Sequence, residues 1–337
     1  MPSSLKITVL CYVEDPQAEP DGVVPQVTAA LKSLGHKPTI LKVCSDLDAF
    51  IDGVRDQKPD LVFNLLEQFG SKSIGSDIGA VGVLDLLNVP YTGGGPGEFY
   101  LSGDKGLSKK VLSYEGILFP KFAVFSKNAD METGGNLRMP LFVKPLRMDA
   151  SIGIDGNAIV SSLAELSKKV TSIHEKLDDA ALAEEYIDGR EFYVGILDHN
   201  GSTVALPPIE MDFTGFPEGK PKVMDARAKF DETSDEYKGS KAVIADIPSE
   251  LSAKLKKVSL DAARALRVRD YGRVDLRYTP TGEIYVLEVN ASCYLEEKGE
   301  FIMAAKAHGI EYPEVLQKII DSALVRQKKP RKRKFRG

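Results

Sequence analysis

From Lys6 to Glu67 the sequence alternates two kinds of segment, and this alternation restricts the fold more than any other feature. KITVLCYV, KPTILKV and DLVFNLLE are short runs rich in β-branched and apolar residues. VVPQVTAALKSLG and DLDAFIDGVRDQ, which separate them, carry apolar residues at helical spacing. Strands separated by helices pair in parallel, because the helix carries the chain back to the start of the sheet. An α/β unit is therefore expected, with IGSDIGAVGVLDLLN as a further Gly-rich helix before VPYTG. Ligands are expected at the carboxyl ends of its strands.

The pattern changes after Leu101. GDKGLSKKVLSYEG reads as a short helix; PKFAVFS, PLFVKP, NAIVSS, ALAEEYI and EFYVGILD follow as strands with few helices, which predicts a layer of antiparallel sheet. The last third shows one clear helix, PSELSAKLKKVSLDAARALRV, with Leu251, Leu255, Val258, Ala262 and Leu266 on one face. RVDLRYT-PTG-EIYVLEVN reads as a hairpin turning at Pro280 and Gly282. The expected fold class is mixed α/β and α+β. Its divisions are 1–100, an N-terminal α/β substrate-binding unit; 101–187, a central antiparallel unit; 188–325, a C-terminal α+β unit with a metal site; and 326–337, a basic tail.

Composition narrows the function classes. A chain of 337 residues suits two or three packed subdomains. No run approaches the roughly 18 apolar residues of a membrane span, and MPSSLKITVLCYVED reads as a first strand rather than a signal peptide. Four scattered histidines form no zinc-binding pair. Cys11, Cys44 and Cys293 lack metal spacing and read as buried reduced thiols, which implies a reducing, cytoplasmic setting. The net charge of −5 conceals a tail, RQKKPRKRKFRG, with eight Lys or Arg. Without it, 36 basic face 49 acidic residues, or −13. The tail reads as solvated, with contact to an anionic partner as the alternative, and an acidic body argues against nucleic acid as principal ligand.

Three segments carry chemistry. In the hairpin, strand alternation puts Arg273, Asp275 and Arg277 on one face, and Glu288 and Asn290 on one face of the partner. If the faces coincide, the two carboxylates and the amide oxygen suit Mg²⁺, which takes hard oxygen ligands and completes its octahedron with phosphate and water. Arg273 would then stabilise an anion beside the metal; a charged exterior face is the bland alternative. In PLFVKPLRMDASIGI, a strand ends at Lys144 and the small-residue loop 149–153 follows, able to close over phosphates through its backbone N–H groups. In ALAEEYIDGREFYVGILD, Glu184 and Glu185 end one strand and Glu191 opens the next. That segment offers backbone groups to an adenine and a carboxylate to ribose, or is simply charge around a turn.

Taken in order, Lys105 in its Asp104-Lys105 pair, Lys144 with its loop, EEYIDGREF, GRVD and LEVN resemble the ATP-grasp superfamily, and within it the D-alanine–D-alanine ligase branch. The resemblance spans about Asp60 to Ile320. It implies ATP between two antiparallel sheets, with Lys105 and Lys144 on its phosphates. Glu184, Glu185, Tyr186 and Ile187 would form the adenine hinge, and Glu191 would hold the ribose. Ser151 and Ile152 belong to the closing loop, and Lys229 to a mobile segment near the γ-phosphate. Asp275, Glu288 and Asn290 would hold two Mg²⁺ ions, with Mn²⁺ as an alternative. The implied catalytic set is Arg273, Ser151 and Lys229, acting on small-molecule carboxylate and amine substrates through an acyl phosphate, and pairing of two copies is open.

The chain departs from that family at its substrate positions. Ala150 and Phe230 stand where a serine and a tyrosine of a Glu–Ser–Tyr triad belong, and CYVEDPQAEPDGVVPQV lacks the glutamate pattern. At the acceptor side, NASCYLEEKGE puts Gly299 and Glu300 where a serine–leucine pair binds the second alanine's carboxylate. A carboxylate there repels another, so Glu296, Glu297 or Glu300 could receive a cationic amine. The expected function is an ATP-dependent carboxylate–amine ligase with an altered substrate site. The alternatives are a D-alanine–D-alanine ligase with a divergent triad and a non-catalytic nucleotide-binding protein.

Overall fold

In the computed structural model, residues 4–70, 75–127, 132–133, 136–148, 151–199 and 202–328 are described. The first unit runs β1 (Lys6–Tyr12), α1 (Val23–Ser33), β2 (Lys37–Val43), α2 (Leu47–Gln57), β3 (Leu61–Asn64) and α3 (Ser76–Leu86). Its strands form a parallel sheet in the order β2-β1-β3, as the alternation predicts. The third strand stops earlier than DLVFNLLE suggests, because Asn64 accepts from Leu66 N at 3.2 Å and turns the chain. Helix α4 (Pro96–Gly103) was not expected and lies across the anticipated boundary at residue 100. Its start is closed by Gly95 N donating to Glu98 Oε2 at 2.9 Å. Helix α5 (Lys105–Tyr114) follows at once, capped by Asp104.

The central unit comprises β4 (Phe122–Phe125), β5 (Glu132–Thr133), β6 (Leu141–Pro145), β7 (Ile159–Val160), α6 (Leu163–Leu177) and β8 (Ala181–Glu185). Its sheet is antiparallel, in the order β5-β4-β8-β6-β7. The 15-residue α6 corrects the expectation of few helices here. Ser162 caps it, and Leu166 and Ile173 pack into the apolar cluster that backs this sheet.

The last unit contains β9 (Arg190–His199), β10 (Ser202–Ala205), β11 (Ile209–Asp212), α7 (Ala226–Phe230), α8 (Asp235–Gly239), β12 (Lys241–Ile244), α9 (Ser249–Ala265), β13 (Tyr271–Tyr278), β14 (Ile284–Asn290), α10 (Glu300–Ala307) and α11 (Tyr312–Lys328). The strand order is β12-β11-β9-β13-β14, antiparallel throughout, with β10 added to β9. Helix α9 presents Leu255, Ala262 and Leu266 to the sheet as the sequence predicts. Helices α7, α8, α10 and α11 go beyond the one helix expected here, and α11 takes up the first three residues of the anticipated tail. Arg326 donates to Asp270 and to Tyr91 O, which fastens the helix end to the body.

The main core unites the two ends of the chain. Ile7, Val9, Val27 and Leu31 pack with Phe301, Tyr312, Leu316 and Ile319. The central sheet keeps separate clusters of its own. Cys11 and Cys293 are buried free thiols, whereas Cys44 is only half-buried. Among the described residues, no helix is long and apolar enough to cross a membrane.

Candidate active site

A cleft of about 2160 Å³ lies between the central and C-terminal sheets, closed at one end by the carboxyl end of β3 and by residues 291–300. Its floor is the predicted hairpin. In the β13–β14 register Arg273 faces Asn290 and Asp275 faces Glu288, so the two strand faces do coincide. A bulge follows: Leu276 pairs with Val286, which leaves Leu287 without a partner residue. Arg273 makes a two-pronged bond to Asp275, at 2.7 and 3.0 Å, and stacks over Tyr193 with its guanidinium carbon 4.6 Å from the ring centre. Asn290 donates to Asp275 at 3.4 Å.

The opposite wall is cationic. Lys105 donates to Met148 O at 2.9 Å and lies 3.4 Å from Glu288. Burial works against the Glu288 charge, but Lys105, with Lys144 and Lys109 behind it, brings its carboxyl down to about 2. Burial likewise opposes charge on Glu184, yet Lys109 and Lys144, each at 3.0 Å, hold it below the usual carboxylate range. Asp275 goes the other way: burial outweighs Arg273 and raises it. Arg273 itself is held firmly charged, since Asp275 and Glu300 overcome the cost of burying it.

The residues expected to form a hinge, Glu184 to Ile187, line the cleft between β8 and β9. Glu185 accepts from Arg138 N at 3.0 Å, and Tyr186 and Ile187 lie beside it at the opening. Glu191 accepts from Arg277 at 2.6 Å and from Tyr193 at 2.7 Å. Ser151, at φ 59°, donates its hydroxyl to Met224 O at 2.9 Å, so the small-residue loop is tied to the segment that leads into α7. Ile152 and Lys229 line the cleft on these two segments. Asp149, Ala150 and the Phe230 side chain lie outside the described residues.

At the end of the cleft formed by residues after β14, Glu296, Gly299 and Glu300 line it. Glu300 stands in the first turn of α10, 3.6 Å from Arg273. Glu297 does not belong with them. It lies 3.8 Å from Lys306, and its backbone N donates to Gln26 at 2.8 Å, which directs it away from the cleft. Tyr294 reaches across to hydrogen-bond Asp21, joining this segment to the entrance of α1. Lys109 was not singled out, although its four-residue spacing from Lys105 puts both on one helix face.

Asp275, Glu288 and Asn290 supply two carboxylates and an amide oxygen. Among the described residues no three His, Cys, Asp or Glu side chains converge as a closed cage. That donor set fits a hard divalent ion whose remaining positions are filled by phosphate and water.

A family model described as the D-ala D-ala ligase C-terminus matches residues 110–321. An uncharacterized protein of Sinorhizobium fredii is 32% identical over 320 residues, covering 93% of this chain and 90% of its own. The D-alanine–D-alanine ligase of Aquifex aeolicus is 31% identical over 294 residues, covering 87% of this chain and 92% of its own. Among solved structures, the D-alanine–D-alanine ligase from Bacillus anthracis complexed with ATP superposes with a TM-score of 0.72 at 24% identity. That match covers 96% of this chain and 99% of the other.

Proposed function

The chain belongs to the D-alanine–D-alanine ligase family of ATP-grasp enzymes, and from that premise we propose that it joins a small carboxylate to an amine other than alanine, using ATP. The observation that supports a ligase best is the shared face of Arg273, Asp275, Glu288 and Asn290, opposed by the buried lysines. An oxygen of the substrate carboxylate attacks the γ-phosphorus, ADP leaves, and an acyl phosphate forms. The amine nitrogen then attacks the acyl carbon, phosphate departs, and the nitrogen gives up a proton.

Each residue has a task in this reading. Lys105 and Lys144 hold the phosphates, Glu184 with the Tyr186–Ile187 backbone reads the adenine, and Glu191 receives the ribose. Mg²⁺ at Asp275, Glu288 and Asn290 would offset charge on the transferring phosphoryl oxygens. Arg273 stabilises the anion at the reacting centre. The Ser151–Gly153 loop, with the Lys229 segment tied to it, keeps water from the acyl phosphate. The central and C-terminal units act as two jaws, and pairing of copies or contact of the basic 329–337 stretch with an anion would be additional to this chemistry.

Glu300 supports the altered acceptor. Its carboxylate already stands beside Arg273, so an acceptor carboxylate arriving there meets like charge instead of a free cation. An amine with cationic character near Glu300 and Glu296 suits the same surroundings. The competing reading, D-alanine–D-alanine ligation, is favoured by the names of the relatives. A panel of amino acids and amines, read by ADP release and product mass, separates the two. Alanine-dependent turnover yielding the dipeptide establishes the competitor, and an acceptor preference unchanged in Glu300→Gln removes the role given to Glu300.

A further inference from the structure

We propose that Lys109 is a positioning residue for nucleotide recognition, keeping Glu184 a fixed, charged acceptor when Lys144 is drawn to the phosphates. This rests on reading the cleft as an ATP site and adds to it a residue that does not line the cleft. Lys109 lies one turn after Lys105 on α5, and its side chain is 1% exposed. An ammonium at that depth needs partners that satisfy it. It has two: Glu184 Oε2 on β8 and Leu287 O on β14, both at 3.0 Å.

Both partners are informative. Leu287 is the bulge residue, with no partner on β13, so Lys109 is anchored to the irregular point of the floor, next to Glu288. Glu184 is shared: Lys144 takes Oε1 and Lys109 takes Oε2. Lys144, next to last in β6, lines the cleft and is the lysine positioned to exchange Glu184 for a phosphate, whereas Lys109 is held from behind by the Leu287 carbonyl. With Lys144 engaged elsewhere, Lys109 remains the single counter-ion, among the described residues, of a carboxylate that is 3% exposed. Without it the carboxylate would be neutralised or would turn, and the contact that distinguishes an exocyclic amino group would weaken.

The test measures equilibrium binding of ATP and of purine riboside triphosphate, which lacks the 6-amino group. Calorimetry is run on the full chain with Mg²⁺ and no other substrate. Lys109→Met is expected to weaken ATP about tenfold, or about 1.4 kcal/mol of binding, and the analogue less than about threefold, so the preference for ATP collapses. Equal weakening of both ligands would mean general loosening and overturns the proposal. Should Lys109→Met not fold, Glu184→Gln and the double variant decide. Equal discrimination in those two places Lys109 upstream of Glu184, and a further loss in the double variant overturns that. Failure of the wild-type chain to bind ATP would remove the ATP reading itself, an outcome distinct from ATP binding that is indifferent to Lys109.

Discussion

Replacing Glu191 with Gln tests how the β9–β13 side of the cleft is held. Glu191 on β9 and Arg277 on β13 are register partners, their side chains 8% and 5% exposed, with 2.6 Å between Oε2 and Nη2. Coulomb's law at an effective dielectric constant of about 20 gives about 6 kcal/mol of attraction at that distance. Desolvating both ions costs several kcal/mol apiece and offsets most of it, so the intact pair adds little net stability. Removing one partner is different, because the other ion stays buried without compensation, at a cost of about 3–5 kcal/mol. Gln preserves the shape and one carbonyl acceptor, and Arg277 keeps weak bonds to Gly189 O at 3.2 Å and Lys222 O at 3.4 Å. The expected loss for Glu191→Gln is therefore about 3 kcal/mol. Adding Arg277→Met removes the stranded charge and should return at least about 1 kcal/mol. Urea denaturation of the three variants, compared at constant slope, provides the measurement. A loss under about 1 kcal/mol for the single variant, or a double variant less stable than the single, would refute the burial argument.

Two further perturbations probe the backbone and the lysine cluster. Gly189 has φ 149°, and a Cβ there would lie 2.1 Å from Tyr278 O; Gly116, at φ 70°, has nothing within 4 Å. Gly189→Ala should cost about 3 kcal/mol or more against about 1 kcal/mol for Gly116→Ala, and equal melting shifts would contradict this. Glu184 is depressed below its ordinary 4.5, so its contribution is complete above that pH and lost as pH falls through its lowered value. Lys144→Met weakens the depression, and stability between about pH 6 and pH 3 should fall less steeply than in the wild type. A slope that does not change would mean Lys144 is not a counter-ion of Glu184.

The sequence disclosed local structure well and distant pairing poorly. The hairpin face is readable because strand alternation is strict and Pro280 and Gly282 mark the turn, so Asp275, Glu288, Asn290 and Arg273 group from the sequence alone. Arg277 was placed on the same face, but its partner Glu191 was not legible. That contact depends on the register of two strands more than 80 residues apart, which no local pattern carries. Helix α6 was missed although Ser162 and the Leu166–Ile173 spacing announce it, because the strands around it set the expectation. Helices α10 and α11 have apolar faces that make sense only against α1 and β9, far away in the chain. Lys109 reads as a surface lysine on a short helix until α5 is seen beneath two sheets. The acidic segment 296–300 was read as one group, and the ion pair with Lys306 separates Glu297 from the rest.

The shared core of the first and last segments has a consequence for how the chain can be divided. Val23, Val27 and Leu31 on α1 find their cover in Leu316, Ile319 and Ile320 on α11, some 290 residues later. A fragment ending near residue 100 would present that face of α1 to water, and its counterpart would present α11. Neither end is autonomous, although the α/β pattern of the first hundred residues suggests a self-contained piece. The central sheet, backed by apolar clusters of its own, is the part whose removal would leave the other two still holding each other.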